Sequence, residues 1–387
     1  MKAAGLPIHG TCDPAFSSVR DAFAANFEEG MEVGACCAVF VEGRKVVDLW
    51  GGYTDETSSV EWSRDTIVNL MSVAKGVASL SIHRLVSQGK LELDEPIARY
   101  WPEFAKNGKD RILVRHALDH RAGIPIIEDP LWSGAVYDWD AMIRALEAQT
   151  PIFPVGQQPA YHTVTMSFLL GELVRRVTGD SLGSYFKREI AEPLELDYWL
   201  GLPESEHSRC ARFIPWTGYN NRTGNGDGPP ELLIKAWQQF DPANDDGYNS
   251  AQFRSAQIPG VSGHGNARAI AKLYAGLALG GTLDGHQIIP QDALMRATEL
   301  QWEDEEPVLT HDYRMGLGFT LNSKDAYMGP NAEAFGHVGA GGSTGFADPV
   351  AHVGFSYGMN RMYPTRDNGP RARRLIEATY ASLEGSA

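Results

Sequence analysis

Cysteine is scarce in this chain, with four residues in 387. Disulfide-held folds need more cysteines at closer spacing, so a disulfide framework is excluded. Cys36 and Cys37 are adjacent on one expected strand while Cys12 and Cys210 are scattered, which reads as buried small hydrophobes. Positive charge is also short: 34 Lys and Arg against 49 Asp and Glu leave a formal net charge of −15. A chain of that sign repels phosphate backbones and anionic headgroups, and no Lys/Arg cluster reverses it locally. Nucleic acid and membrane surfaces are therefore not expected partners. No apolar run approaches the ~18 residues that a spanning helix requires. Between Met1 and Phe16, Pro7, His9, Cys12 and Asp13 stand where a signal peptide needs an unbroken apolar stretch, so a cytoplasmic protein is expected. Internal repeats and low-complexity linkers are missing too, which leaves interleaved domains rather than domains strung in a row.

The composition that remains is that of an ordinary globular protein, 43% hydrophobic and 21% charged. Wholesale disorder is excluded. At ~150 residues per domain the length suggests two to three domains. Phe16, Val19, Phe23 and Phe27, at steps of three and four, place a helix over Ala15 to Glu29. Gly34 to Val41 and Lys45 to Trp50 are β-branched and apolar around Glu42-Gly43, the pattern of a hairpin. Helices follow at Ser72 to Gln88, Ile112–His120, Trp139–Ala148, Val164–Thr178, Leu182–Ile190 and Asn266 to Leu279. The Gly/Pro/Asn/Asp-rich tract from Gly218 to Gly265 is long for a connector and suggests a lid or substrate wall. Strands return at Met315–Leu321, Gly336–Phe346 and His352–Met359, with a turn at Asp348-Pro349, and a helix over Pro370 to Leu383 closes the chain. Strands at both ends with helices between predict one sheet built from both termini. The expected partition is residues 1–71 with 262–387 as the sheet domain, and 72–261 as a mainly helical insert.

The strongest chemical signal is Ser72-Val73-Ala74-Lys75. A serine hydroxyl is a poor nucleophile without a base in reach, and residues three apart on a helix share a face. Lys75 serves as that base only where burial depresses its pKa. Tyr161-His162-Thr163 precedes a helix, so Tyr161 is placed to project into a cleft and relay protons. Gly336-His337-Val338-Gly339-Ala340-Gly341-Gly342-Ser343 permits close approach to backbone N–H groups. The N–H groups of Ser72 and Ala340 are the expected oxyanion pair. Gly341-Gly342-Ser343-Thr344-Gly345 also fits the nucleophile elbow of α/β-hydrolases. That motif needs a following helix, then an acid and a histidine, and here a strand is expected instead, with His352 only nine residues beyond Ser343. His116 and His120 lack an acidic partner at helical spacing and are read as structural, around the turn at Arg121-Ala122-Gly123. No metal and no cofactor are expected.

In this order, Ser72–Lys75, the tyrosine motif at Tyr161 and the His337-Val338-Gly339 strand resemble class C serine β-lactamases, penicillin-binding proteins and family VIII carboxylesterases. Asp48-Leu49-Trp50-Gly51-Gly52-Tyr53, His120-Arg121-Ala122-Gly123 and Gly345-Phe346-Ala347-Asp348-Pro349 are similar to the esterase-like branch. The resemblance covers about residues 15 to 385. It implies an α/β (α+β), β-lactamase-like fold, an antiparallel sheet flanked by the N- and C-terminal helices, with the active site between sheet and helical insert. It also implies acylation of Ser72, Lys75 as base or proton shuttle, and Tyr161 assisting proton transfer. His337, Gly339, Ala340 and Thr163 fall at substrate-binding positions. Thr163 stands where an asparagine is usual, and His337 where a lysine anchors a substrate carboxylate. Both changes favour neutral esters over β-lactams and D-Ala-D-Ala peptides. The expected activity is ester hydrolysis with small acyl groups. An amidase or D-aminopeptidase, a lactone or β-lactam hydrolase, an acyltransferase and an acylated sensor are the alternatives, and homo-oligomerisation is left open.

Overall fold

The chain alternates short strands and helices around one large antiparallel sheet. The computed structural model describes residues 7–216, 230–238, 247–364 and 368–385. Much of the expected Gly218–Gly265 wall, residues 217–229 and 239–246, thus lies outside the described residues. The strands are β1 (Ile8–Cys12), β2 (Gly34–Val41), β3 (Arg44–Gly52), β4 (Val68–Asn69), β5 (Tyr198–Leu200), β6 (Gly263–Gly265), β7 (Thr282–Leu283), β8 (His286–Gln287), β9 (Trp302–Glu305), β10 (Asp312–Met315), β11 (Thr320–Leu321), β12 (Phe335–Val338), β13 (Thr344–Asp348) and β14 (Val353–Met359). The α-helices are α1 (Ser17–Glu28), α2 (Val73–Ser87), α3 (Ile97–Tyr100), α4 (Val114–Leu118), α5 (Trp139–Ala148), α6 (Thr165–Thr178), α7 (Leu182–Phe186), α8 (Glu231–Trp237), α9 (Ala251–Ser255), α10 (Ala267–Ala278), α11 (Gln291–Thr298) and α12 (Gly369–Glu384).

Among the described residues nine strands form the main sheet in the order β1-β3-β2-β14-β13-β12-β11-β10-β9, with every pairing antiparallel. The centre of the sheet therefore joins β2 to β14, and the fold is the β-lactamase-like architecture of mixed helices and antiparallel strands. Both faces of the centre are covered, which explains why β2 reads as an unbroken apolar run. Cys37 and Val39 face a layer containing Phe23 and Phe27 of α1 and Leu375, Ile376 and Tyr380 of α12. Cys36, Ala38 and Phe40 face the opposite core with Ile270, Leu273 and Tyr274 of α10. The two adjacent cysteines thus point to opposite faces, as the two-residue period of a strand requires. At Gly354 an added Cβ would lie 2.3 Å from Ala275 N, so α10 packs directly on the backbone of β14.

Two expected strands are broken in the structure. Met315–Leu321 is two short strands, β10 and β11, joined by a turn at Gly316 to Phe319. Gly336–Phe346 is a hairpin, β12 and β13, whose turn spans residues 339–343. The edge strand β1 is an addition: Ile8–Cys12 pairs with Val47–Gly51 of β3. A smaller sheet, β4-β6-β5, carries the chain from the main sheet into α2.

Candidate active site

α2 begins where the chain leaves β4, and the entry is held tightly. Asn69 accepts the Met71 N–H through Oδ1 at 2.9 Å and donates through Nδ2 to the Val261 carbonyl at 3.0 Å. Met71 adopts a left-handed backbone conformation, φ 50°, which a non-glycine residue takes only when its surroundings compel it. Ser72 follows at the N-terminal end of α2, so its N–H is one of the orphan donors of the first turn.

Lys75, one turn on, is buried, with 1% of its surface exposed. Its Nζ donates to the Gly260 carbonyl at 2.7 Å and to the Thr163 carbonyl at 3.0 Å, and lies 3.2 Å from Ser72 Oγ. Ser72 Oγ itself donates to the Gly260 carbonyl at 3.1 Å. Lys75 faces a hydroxyl and two carbonyls, and burial drives its pKa well below the ordinary lysine value of 10.5.

Tyr161 closes the next side. Its ring lies under Lys75 Nζ, 4.7 Å from the ring centroid, and its hydroxyl is 3.4 Å from His337 Nε2. His337 Nδ1 is 2.7 Å from the Val338 carbonyl. With that nitrogen donating, Nε2 is left to accept the tyrosine hydroxyl. Burial, and then the Lys75 charge, hold the His337 pKa down at about 3. His337 is thus neutral and turned to Tyr161, not a cation awaiting a substrate carboxylate. Thr163 contributes its carbonyl to Lys75, while its Oγ1 is buried and makes no hydrogen bond.

The β12–β13 turn lies across from Ser72. Gly339, expected at a substrate-binding position, donates its N–H to the Ser343 carbonyl at 2.7 Å and so does not offer that group to a ligand. It provides close approach instead, since an added Cβ would lie 2.5 Å from the Leu70 carbonyl oxygen. The N–H groups of Ser72 and Ala340 make no hydrogen bond among the described residues. Ala340 borders an apolar cluster of Met71, Phe213 and Met362, against which Trp216, Trp237 and Tyr248 pack. Ser343 leads into β13 rather than a helix, and it is fully buried with Oγ donating to the Leu70 carbonyl.

Two residues at this site escape the sequence reading. His120, read as part of a turn, packs against Tyr161 with ring centroids 4.6 Å apart and the rings tilted by 39°. Its Nδ1 accepts the His162 N–H at 3.1 Å, and its Nε2 is buried without a partner. Glu306, between β9 and β10, accepts the Tyr161 N–H at 2.8 Å, the Val308 N–H at 2.9 Å and the Leu309 N–H at 2.6 Å. Glu303, Asp304 and Glu305 before it are exposed, so only the following Pro307 hints that the chain turns inward there. His116 keeps a local role, with Nδ1 accepting the Leu113 N–H at 3.2 Å. Among the described residues no group of three or more His, Cys, Asp or Glu is placed to hold a metal ion, and no helix is long and apolar enough to cross a membrane.

The beta-lactamase family profile matches residues 23–380. The chain belongs to the beta-lactamase family. It is 31% identical over 374 residues to the Esterase/beta-lactamase LipL of Mycobacterium tuberculosis, a match covering 93% of this chain and 84% of that protein. It superposes on the crystal structure of a family VIII carboxylesterase at 40% identity with a TM-score of 0.89. A penicillin-binding-protein homologue from Caulobacter crescentus is similar at 41% identity with a TM-score of 0.88. Each of these two structures matches over 97% of this chain and 100% of its own. The protein is a serine hydrolase of this family.

Proposed function

We propose that the protein hydrolyses carboxylic esters, those with small acyl groups most readily, through an acyl-Ser72 intermediate. The observation that carries this reading is a dry Lys75 with Nζ 3.2 Å from Ser72 Oγ at a helix N-terminus. Neutral Lys75 takes the hydroxyl proton as Ser72 Oγ bonds to the ester carbonyl carbon. The oxygen that gains negative charge sits against the N–H groups of Ser72 and Ala340. Collapse breaks the bond to the alcohol, which departs with the proton from Lys75 by way of the Tyr161 hydroxyl. Water then attacks the acyl carbon, gives its proton back along the same route, and releases the acid and Ser72. His337 fixes the Tyr161 hydroxyl by accepting from it, and so acts through the tyrosine.

The apolar cluster of Met71, Phe213 and Met362 beside Ala340 supports a preference for small acyl groups. A neutral His337 offers no cation to a carboxylate, which supports neutral esters over β-lactams. Likeness to a carboxylesterase structure and to LipL supports the same reaction class. The four free cysteines fit a reducing compartment, the cytoplasm.

The test is hydrolysis of p-nitrophenyl butyrate by the wild type and by Ser72→Ala, with a fluorophosphonate adduct located by mass spectrometry. Sustained turnover that falls by about 10³-fold or more in the variant, with the adduct on Ser72, is expected. Turnover surviving in Ser72→Ala, or an adduct on Ser343, would overturn the mechanism. A burst of one equivalent and no turnover would make the protein an acylated sensor instead.

A further inference from the structure

The serine of the Gly341-Gly342-Ser343-Thr344-Gly345 sequence is left without a role by the acyl-Ser72 reading, yet it is fully buried and polar. Its hydroxyl crosses from the β12–β13 turn to the segment that enters α2, donating to the Leu70 carbonyl at 2.8 Å. Leu70 is two residues before Ser72, and its carbonyl also receives the Val73 N–H at 3.3 Å. On the other side, the Ser343 carbonyl accepts the Gly339 N–H at 2.7 Å, and Gly342 N–H donates to the Gly339 carbonyl at 3.0 Å, closing the turn that holds Ala340. One residue thus touches both strands of backbone from which the unpaired Ser72 and Ala340 N–H groups project.

The contact leaves no slack. A Cβ on Gly339 would lie 2.1 Å from Ser343 Oγ and 3.2 Å from Met71 Cβ. The turn is also held from behind. Arg371, buried on α12 and paired with Glu32 at 2.7 Å, donates through Nη2 to the Gly341 carbonyl at 2.8 Å. The Tyr363 N–H donates to the same carbonyl at 3.1 Å. Arg371 and Tyr363 fix the turn to the sheet side, but neither reaches the nucleophile segment. Ser343 does.

We propose that Ser343 is a positioning residue for the oxyanion site, its Oγ–Leu70 bond setting the distance between the Ser72 and Ala340 N–H groups. The inference rests on the acyl-Ser72 reading. Hydrogen-bond donors aimed at a developing oxyanion act only when their spacing matches the tetrahedral state, so a small spread between two donors costs rate rather than substrate binding.

The experiment compares wild type, Ser343→Ala and Ser343→Cys. Cysteine keeps a group of similar size but donates weakly. Measured are kcat and KM for p-nitrophenyl butyrate, inhibition by butylboronic acid as a tetrahedral mimic, the site of fluorophosphonate attachment, and Tm. For Ser343→Ala we expect kcat/KM to fall by about 10- to 100-fold, nearly all of it in kcat. Affinity for the boronate should weaken by a similar factor, with the adduct still on Ser72, and Ser343→Cys should fall between. A purely structural role would lower Tm and the folded fraction while leaving the boronate constant of the folded protein unchanged, and that result overturns the proposal. So does kcat/KM within threefold of wild type in the alanine variant. If the wild type itself carries no adduct on Ser72, the acyl-Ser72 reading fails, which is a separate outcome from failure of the Ser343 assignment. Should Ser343→Ala not fold, the cysteine variant decides on the same kcat and boronate criteria.

Discussion

A lysine that meets a hydroxyl and two carbonyls instead of a carboxylate is a costly group to bury, and the molecule retains Lys75 in that setting. The gain is protonation state. With its pKa held well below 10.5 by burial, Lys75 is neutral at a pH where a surface lysine is charged. Activity should therefore rise with pH through the depressed lysine pKa and stay level above it. We expect the acid limb of kcat/KM for p-nitrophenyl butyrate far below 10.5, and Lys75→Arg, always protonated, to lose about 10²- to 10⁴-fold. A limb centred near the ordinary lysine value would contradict this. His337 cannot supply that limb, because its own pKa is about 3.

The hairpin of β9 and β10 works as a clamp on the tyrosine. Its turn residue Glu306 takes the Tyr161 N–H, Tyr313 of β10 stacks on the Tyr161 ring at 5.7 Å between centroids, and Trp302 Nε1 donates to the Asp119 carbonyl at 2.7 Å. Glu306→Gln keeps the shape but turns an amide NH2 toward backbone donors. We expect stability to drop by about 1–3 kcal/mol and kcat to fall by about tenfold with KM less affected, since the tyrosine is displaced rather than removed. Equal losses in kcat for a variant with unaltered Tm would place Glu306 in the chemistry itself. Elements were legible where periodicity and length agreed, as for α5, expected and found at Trp139–Ala148. They were misread where glycine turns interrupt an apolar run, because Gly316 and residues 339–343 look like strand kinks in sequence and reverse the chain in space. Ser72, Lys75 and Tyr161 stood out because neighbours in sequence are neighbours on a helix or at its entry. His120 and Glu306 did not, because their roles come from contacts with Tyr161 across 41 and 145 positions of the chain, respectively, and no local pattern reports such a contact.

At the scale of the whole molecule, six histidines among the described residues are shifted in one direction by burial. His83, His116 and His162 are held at about 4, His264 and His337 at about 3, and His120 well below 6.5. Each is neutral in the fold, while the unfolded chain takes up a proton as pH falls through about 6.5. The unfolded state then binds more protons, so stability is lost with acid, at up to ~1.4 kcal/mol per pH unit for each group between its two pKa values. Glu32, Asp119 and Glu306, pushed upward by burial, pull the other way, but they are three against six. Thermal unfolding should show Tm falling steeply between pH 6.5 and pH 4. A level Tm down to pH 5 would show that these rings are charged in the fold. The join between β2 and β14 has a consequence in time as well. The partner of Gly34–Val41 is Val353–Met359, more than 300 positions further along the chain. At a ribosomal rate of ~5–20 residues per second, roughly 15 to 60 seconds separate the two. Throughout that interval β2 waits beside β3 with one open edge, an unpaired row of backbone N–H and C=O groups. Until Val353–Met359 emerges, that edge is open to pairing with another copy of the chain, and the strand that closes the middle of the sheet arrives long after its neighbour.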